Sequence, residues 1–483
     1  MDKKDLKPAN VFRFFSEINE IPRPSKHEEK MIAYLRKFGE DRGLETIVDN
    51  TGNVLIRKSA TEGYESSPVI TLQSHMDMVC DKLAGHEIDF MNEPIKTYVD
   101  GDWLTAEGTT LGADDGIGCA MELAILDADD IKHGPIECLF TVDEETGLTG
   151  ANNLDGDMLS GKMLINLDSE DEGLFYVSCA GGKTTTATYK YNKVEAPQGL
   201  FFLKATIDGL TGGHSGDDIN KKRANAAKIL ARFLYTQQQK RELFLVSFNS
   251  GKLHNAIPRE GEIIFAVPFA DKEDVRAEWN IFCSEVEEEF IITEKNMNFS
   301  MESSSPAHIV PQALSRNIIM ALQAVHHGVF SVVQDLSLGN LTETSSNLAA
   351  IKTEDTQMII NTSQRSSVMS NLTNMVNTVT AVFQLAGADD IVYSDGYPAW
   401  KMNPNSKIRE TAKECYVRLF GNEPKIIGIH AGLECGLFSE RYPHLDMLSI
   451  GPTMRGVHSP DEKLYIPSVK KVYDLVLEIL KNI

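Results

Sequence analysis

Three short apolar runs in the first part of the chain end alike. "VITLQSHMDMV" (69–79) reaches His75 and Asp77, "IECLFTV" (136–142) runs into "DEETG", and "MLINLD" (163–168) stops on Asp168. Apolar runs of this length read as strands in a buried, largely parallel sheet. "GIGCAMELAILDAD" (116–129), between the first two, reads as a helix. Such alternation predicts an α/β fold, with helices on both faces of a mixed sheet. In sheets of this class ligands bind beyond the carboxyl ends of the strands. That is where the polar residues fall.

The rest of the chain divides by texture. Residues 10–45 read as helical up to Gly43, and "NVLIRK" (53–58) as a strand. Near 190 the pattern becomes α+β: strand "LFFLKATIDGL", helix "INKKRANAAKILARFLYTQ", strands "LFLVSF" and "EGEIIFAVPF", then a long helix. A similar order recurs through "NMNFSMESS", a helix at 311–327, "QMIINTSQRSS" and a helix at 369–386. The α/β pattern returns after 393. The reading is a discontinuous catalytic domain, 1–188 and 393–483, with an inserted α+β lid or dimerisation domain, 189–392, built as two related halves.

Composition narrows the function. A net charge of −23 and the lack of a basic stripe argue against nucleic acid or an anionic membrane as partner. No apolar run reaches the ~18–20 residues of a membrane span. The start, "MDKKDLKPANVF", lacks the apolar core of a secretory signal, so a cytoplasmic location is expected. Seven scattered cysteines without a CxxC form neither a disulfide framework nor a thiolate metal site. Any metal must be held by oxygen and nitrogen.

Candidates for that role recur at the predicted strand ends. They are His75 and Asp77, then Asp114 and Asp115 in "GTTLGADDGIG", then Asp143, Glu144 and Glu145, then Asp168, and far downstream His458 in "GVHSPDE". In a strand, residues i and i+2 share a face, so His75 and Asp77 are expected to point the same way. Each alone has an ordinary explanation: a core histidine, a turn before a helix, a solvated loop. Together they differ, because gathered carboxylates repel one another unless a cation neutralises them. Two imidazoles among several carboxylates suit zinc or a related divalent ion. There are candidates for two ions sharing a carboxylate, as in hydrolytic dimetal sites with ions ~3.5–4 Å apart.

The series "HMD", "GADDG", "DEETG", "NLDSE" and "HSPDE" resembles the cocatalytic dizinc exopeptidases of the aminoacylase and glutamate-carboxypeptidase type. "GGHSG", "LHNAIPRE", "HAGLECGLF" and "SIGPTMRGVHSPDE" extend the likeness to the branch acting on aminoacyl-histidine dipeptides, over essentially the whole chain. The resemblance implies two Zn2+ per chain, for which Mn2+ or Co2+ can substitute. Asp114 would bridge them, His75 and Asp168 completing one site and Glu145 and His458 the other. Asp77 would orient His75, and Glu144 would be the general base for a zinc-held hydroxide. A cis peptide would follow Asp114; the role of Asp115 stays open. His214 would stabilise the oxyanion, Asn255 and Arg365 would grip the substrate, Arg365 by its free carboxylate, and Gly432 would bring backbone close to it. The implied protein is a homodimeric dipeptidase for unblocked L-dipeptides, Xaa-His included. Rivals are a tripeptidase or N-acyl-amino-acid deacylase on the same scaffold, a dimetal phosphoesterase, which would need more cationic groups, and a non-catalytic metal-binding protein, which would not need Glu144 beside Glu145.

Overall fold

The runs that are apolar throughout become the centre of a sheet. Ile70–His75 and Ile136–Thr141 are buried at every position and pair in parallel, with His75 opposite Thr141. Met163–Asn166 pairs in parallel along the other edge of Ile70–His75, and Asp446–Ser449 is parallel beyond it. Glu45–Val48 and Val54–Lys58 extend one side in antiparallel fashion. Leu174–Cys179 and Lys425–Ile429 finish the other, giving an eight-stranded mixed sheet. This structure, a computed structural model, describes residues 5–333 and 341–483. Among them no helix is long and apolar enough to cross a membrane.

The sheet belongs to a compact unit that runs to Ser178 and resumes at Trp400–Gly428 and Leu433–Ile483. The helix Ala113–Asp127 is buried on nearly all sides, packed on Ile70–His75 and on the helix Ala9–Asn19. Its first two turns carry small residues, Gly116, Gly118, Cys119 and Ala120. Large side chains there would hold it off its neighbours.

Local structure departs from the sequence reading in three places that matter for the site. The stretch 10–45 is two helices, Ala9–Asn19 and Glu29–Asp41. Between them "IPRPS" carries two prolines, which cannot continue a helix and push the preceding residue towards extended backbone. That break delivers Arg23 to the interior, where it is 1% exposed. Second, the strand expected over 69–79 ends at His75, so Asp77 lies beyond it. The two residues are neighbours because the chain turns, not because of strand alternation. Third, the helix expected from residue 219 starts at Ala226, where the Asn225 side chain accepts the Lys228 N–H at 3.1 Å and caps it.

The second unit comprises Cys179–Ala399 and Ile429–Gly432. Among the described residues its core is a nine-stranded antiparallel sheet. Gly181–Lys190 and Thr342–Thr353, two strands the sequence reading did not mark, flank Gln357–Ser366 within it. Two groups of strands meet where Ser250 pairs with Ile351. Four helices cover the sheet: Ala226–Lys240, Lys272–Glu289, Gln312–Ala324 and Met369–Leu385. Phe233 packs edge-on against Trp279 at 4.8 Å, with Phe265 and Phe282 around it. Aromatic residues of this kind dominate such cores through their large buried area.

Candidate active site

The first unit brings its sequence-marked polar residues to one place. His75 is the last residue of its strand. Asp114 lies at the start of its helix with non-helical torsions, followed by a cis peptide to Asp115. Glu144 and Glu145 open a one-turn helix, Glu144–Gly147, directly after Ile136–Thr141. Asp168 sits two residues beyond Met163–Asn166. His458 lies in a turn after Met454–Arg455, at φ +60°.

Asp114 divides its two oxygens between two imidazoles. Oδ1 is 3.1 Å from His75 Nε2, and Oδ2 is 3.0 Å from His458 Nε2. His75 Nε2 is also 3.5 Å from Asp168 Oδ1, and His458 Nε2 is 3.0 Å from Glu145 Oε2. Donor atoms around one tetrahedral zinc, with bonds of ~2.0–2.2 Å, lie about 3.3 Å apart. Contacts of 3.0–3.5 Å on either side of Asp114 thus match two ligand sets with a shared carboxylate. The donor atoms of His75, Asp114 and Glu145 all fall within 4.8 Å of one another.

The charges lead the same way. Burial pushes the Glu144 and Asp168 carboxyls well above the usual carboxylate range, and neighbouring carboxylates add to it. Hydrogen bonds to Asp114 and Glu145 push His458 up to about 11. Burial works against protonation of His75, but Asp168 and Asp114 outweigh it and hold the ring well above its ordinary value. Burial likewise opposes ionisation of Asp114, and the hydrogen bonds from His458 and His75 reverse it. Buried Glu145 Oε1 and Asp115 Oδ2 have no hydrogen-bond partner. Left to themselves these side chains crowd protons into a buried acidic cluster. Divalent cations would replace those protons and neutralise the cluster, so the donor set fits metal binding.

Around the ligands lies a supporting set. Fully buried Asp77 accepts Ser25 Oγ at 2.8 Å and the N–H groups of Glu144 and Glu145 at 3.0 and 3.2 Å. Its Oδ1 is 3.3 Å from His75 Nδ1. One carboxylate thereby holds the turn carrying Glu144 and Glu145 and lies beside the His75 ring. Glu434, also fully buried, accepts Gln73 Nε2 at 2.6 Å and Thr141 Oγ1 at 2.9 Å, and burial holds its carboxyl up to about 7.

Sequence reading missed Glu434 and two further members. Glu462 accepts four successive N–H groups, those of Leu111, Gly112, Ala113 and Asp114, at 2.7–3.3 Å. Arg23 donates to the carbonyls of Met76, Asp77 and Gly112. The Asp114 loop is thus gripped through its N–H groups by one charge and through a carbonyl by the other. A Cβ at Gly112 or Gly116 would come within 2.5 Å of Arg23 Nη2, which explains two glycines of "LGADDGIG". "HSPDE" itself held the signal for Glu462, four residues after His458. For Arg23 the signal was a cation between two prolines. Glu462→Ala leaves four donors without an acceptor, each worth about 1–3 kcal/mol when buried. It is expected to lower Tm by several degrees and to weaken metal retention against a chelator. Unchanged retention would show that the clamp does not act on Asp114.

The candidates of the second unit form their own group. His214 pairs with Ala256 in a two-stranded ribbon, and the Ser215 N–H donates to the Asn255 carbonyl at 2.8 Å. The Asn255 side chain is exposed. Arg365, 6% exposed, lies at 3.2 Å from His214 Nε2, donates through Nε to Ser215 Oγ at 3.3 Å, and through Nη1 to Tyr397 Oη at 2.5 Å. His214 Nδ1 accepts the Asp217 N–H at 3.2 Å, which puts the proton of a neutral ring on Nε2. Two donors then face each other, an arrangement that an anionic oxygen satisfies. A Cβ at Gly432 would meet the Tyr397 ring at 2.7 Å.

Known proteins share this chain's sequence and fold. Residues 71–482 match the sequence pattern of peptidase family M20/M25/M40. A cytosol non-specific dipeptidase of Escherichia coli K12 is 41% identical over 480 residues, 99% of this chain and 98% of that protein. The crystal structure of an aminoacylhistidine dipeptidase from Vibrio alginolyticus superposes with a TM-score of 0.92 at 40% identity, covering 100% of this chain and 98% of that one. An aminopeptidase PepT from Bacillus cereus, 17% identical, shares the fold at a TM-score of 0.56, covering 99% of this chain and 98% of its own.

Proposed function

The chain belongs to peptidase family M20/M25/M40, and on that premise we propose that it is a metal-dependent dipeptidase hydrolysing unblocked L-dipeptides, Xaa-His among them. The observation that carries the reading is the division of Asp114 between two imidazoles, 3.1 and 3.0 Å away, with further carboxylates of Asp168 and Glu145 on the two sides. His75, Asp114 and Asp168 would hold one zinc ion, Asp114, Glu145 and His458 the other. Manganese or cobalt would suit the same oxygen-rich sets. Bound there, the ions supply Lewis acidity that acidifies water and polarises the scissile carbonyl.

The side chains do the rest. Asp77 orients His75 and fixes its tautomer. Glu144, whose N–H is held by Asp77, takes the proton of the attacking water and returns it to the leaving amine. His214 donates to the developing oxyanion. Arg365 takes the substrate carboxylate with the N–H groups its present partners leave free, and Asn255 and Gly432 help hold the peptide. The long identity to a protein named cytosol dipeptidase supports a cytoplasmic place for the activity. A homodimer, with residues 189–392 serving as lid and dimerisation domain, belongs to the same reading.

The test is a side-by-side assay of Ala-His and other dipeptides, tripeptides and N-acyl amino acids on enzyme loaded with zinc. The dipeptides are expected to turn over fastest. Preference for N-acyl amino acids or tripeptides would replace this reading with its rival on the same scaffold.

A further inference from the structure

We infer that Tyr397 is a specificity residue, its hydroxyl forming with Arg365 the receptor for the substrate's terminal carboxylate. The inference rests on the dipeptidase reading above and adds to it a residue that the motifs do not mark. Tyr397 lies in "SDGYPAW", a stretch read from the sequence only as the seam where the α/β pattern returns.

The position is built rather than incidental. Tyr397 exchanges two backbone hydrogen bonds with Gly182, each 3.0 Å. Its ring lies against two glycines from separate segments: a Cβ at Gly182 would meet Cζ at 2.5 Å, and one at Gly432 would meet Cε2 at 2.7 Å. Any side chain at either place would displace the ring. Glycine at 432 is therefore explained by the need to seat Tyr397.

The hydroxyl's chemistry follows from its neighbour. Oη accepts from Arg365 Nη1 at 2.5 Å. A phenol that accepts keeps its own proton to give. Among the described residues no carboxylate pairs directly with Arg365, although it is 6% exposed; Asp217 lies instead 3.6 Å from the other ring nitrogen of His214. Burying a cation without an anion in direct contact is costly. Two of the five guanidinium N–H groups are committed, to Ser215 and Tyr397. The other three, one of them facing the His214 Nε2–H, are left with the Tyr397 O–H as donors for a ligand. A carboxylate, with two oxygens and about four lone pairs, matches that set; a neutral amide, which brings one acceptor and donors of its own, does not.

Tyr397→Phe removes the hydroxyl and keeps the ring that the glycines accommodate. The experiment compares wild type and this variant on Ala-His and on its C-terminal amide. KM for Ala-His is expected to rise about tenfold or more, the usual weight of a hydrogen bond to a charged group, with kcat within about threefold. KM for the amide is expected to stay the same. In parallel, calorimetric binding of L-histidine, which carries the same carboxylate and needs no turnover, should weaken by a similar factor. An unchanged KM and histidine affinity, or an equal loss on acid and amide, overturns the inference. Wild-type enzyme that ignores Ala-His overturns the dipeptidase reading instead, and the histidine titration then still decides the role of Tyr397. A melting temperature within a degree or two of wild type excludes a merely structural cause.

Discussion

Glu144→Gln is expected to retain both metal ions and to lose about 10³-fold or more in kcat. The substitution keeps size and the backbone N–H that donates to Asp77, so the turn carrying Glu145 stays in place. What disappears is the ability to accept a proton. General acid–base groups contribute about 10²–10⁴-fold, and here one residue is proposed to serve both halves of the reaction. Elemental analysis and steady-state kinetics on the same preparation check it. A variant that keeps its metal and turns over within tenfold of wild type assigns the proton transfer to another group, and the buried Glu434 is then the first to examine.

Asp114→Ala should fail in the opposite manner, by losing metal. Wild-type protein isolated without added metal is expected to carry two ions per chain, and the variant less than one. The reason lies in the geometry: Asp114 is the side chain that meets both His75 and His458. Without it each trio loses a member at once, and the remaining carboxylates face one another unscreened. Activity should fall to background even in excess zinc. Two ions per chain in the variant would remove the bridging role and, with it, the dimetal reading. The pair of variants separates binding from chemistry, since one keeps the ions without turnover and the other never acquires them.

Much of the site was legible because its chemistry is written in residue types. Imidazoles and carboxylates placed after apolar runs are costly to bury without a purpose, so they stood out as a set, though not one motif at a time, and the family resemblance picked His75, Asp114, Glu145, Asp168 and His458 from among them. Their partners were less legible for physical reasons. Arg23 looks like a loop cation until the two prolines bend the chain inward and Gly112 and Gly116 leave it room. Glu462 looks like a surface acid until four N–H groups from 350 residues away converge on it. Tyr397 has no motif, since its position depends on glycines in two other segments. The strand alternation invoked for His75 and Asp77 was the wrong cause, because the strand ends at His75.

Local pattern thus determined the central buried strands and which side chains are candidates for metal chemistry, because hydrophobic periodicity and side-chain type are properties of neighbours along the chain. Only the tertiary structure decided that His75 and His458 share one aspartate, that Glu462 and Arg23 clamp its loop, and that Tyr397 meets Arg365. Those contacts join segments tens to hundreds of residues apart. They follow from sheet order and from the room that glycines leave, which no local window contains.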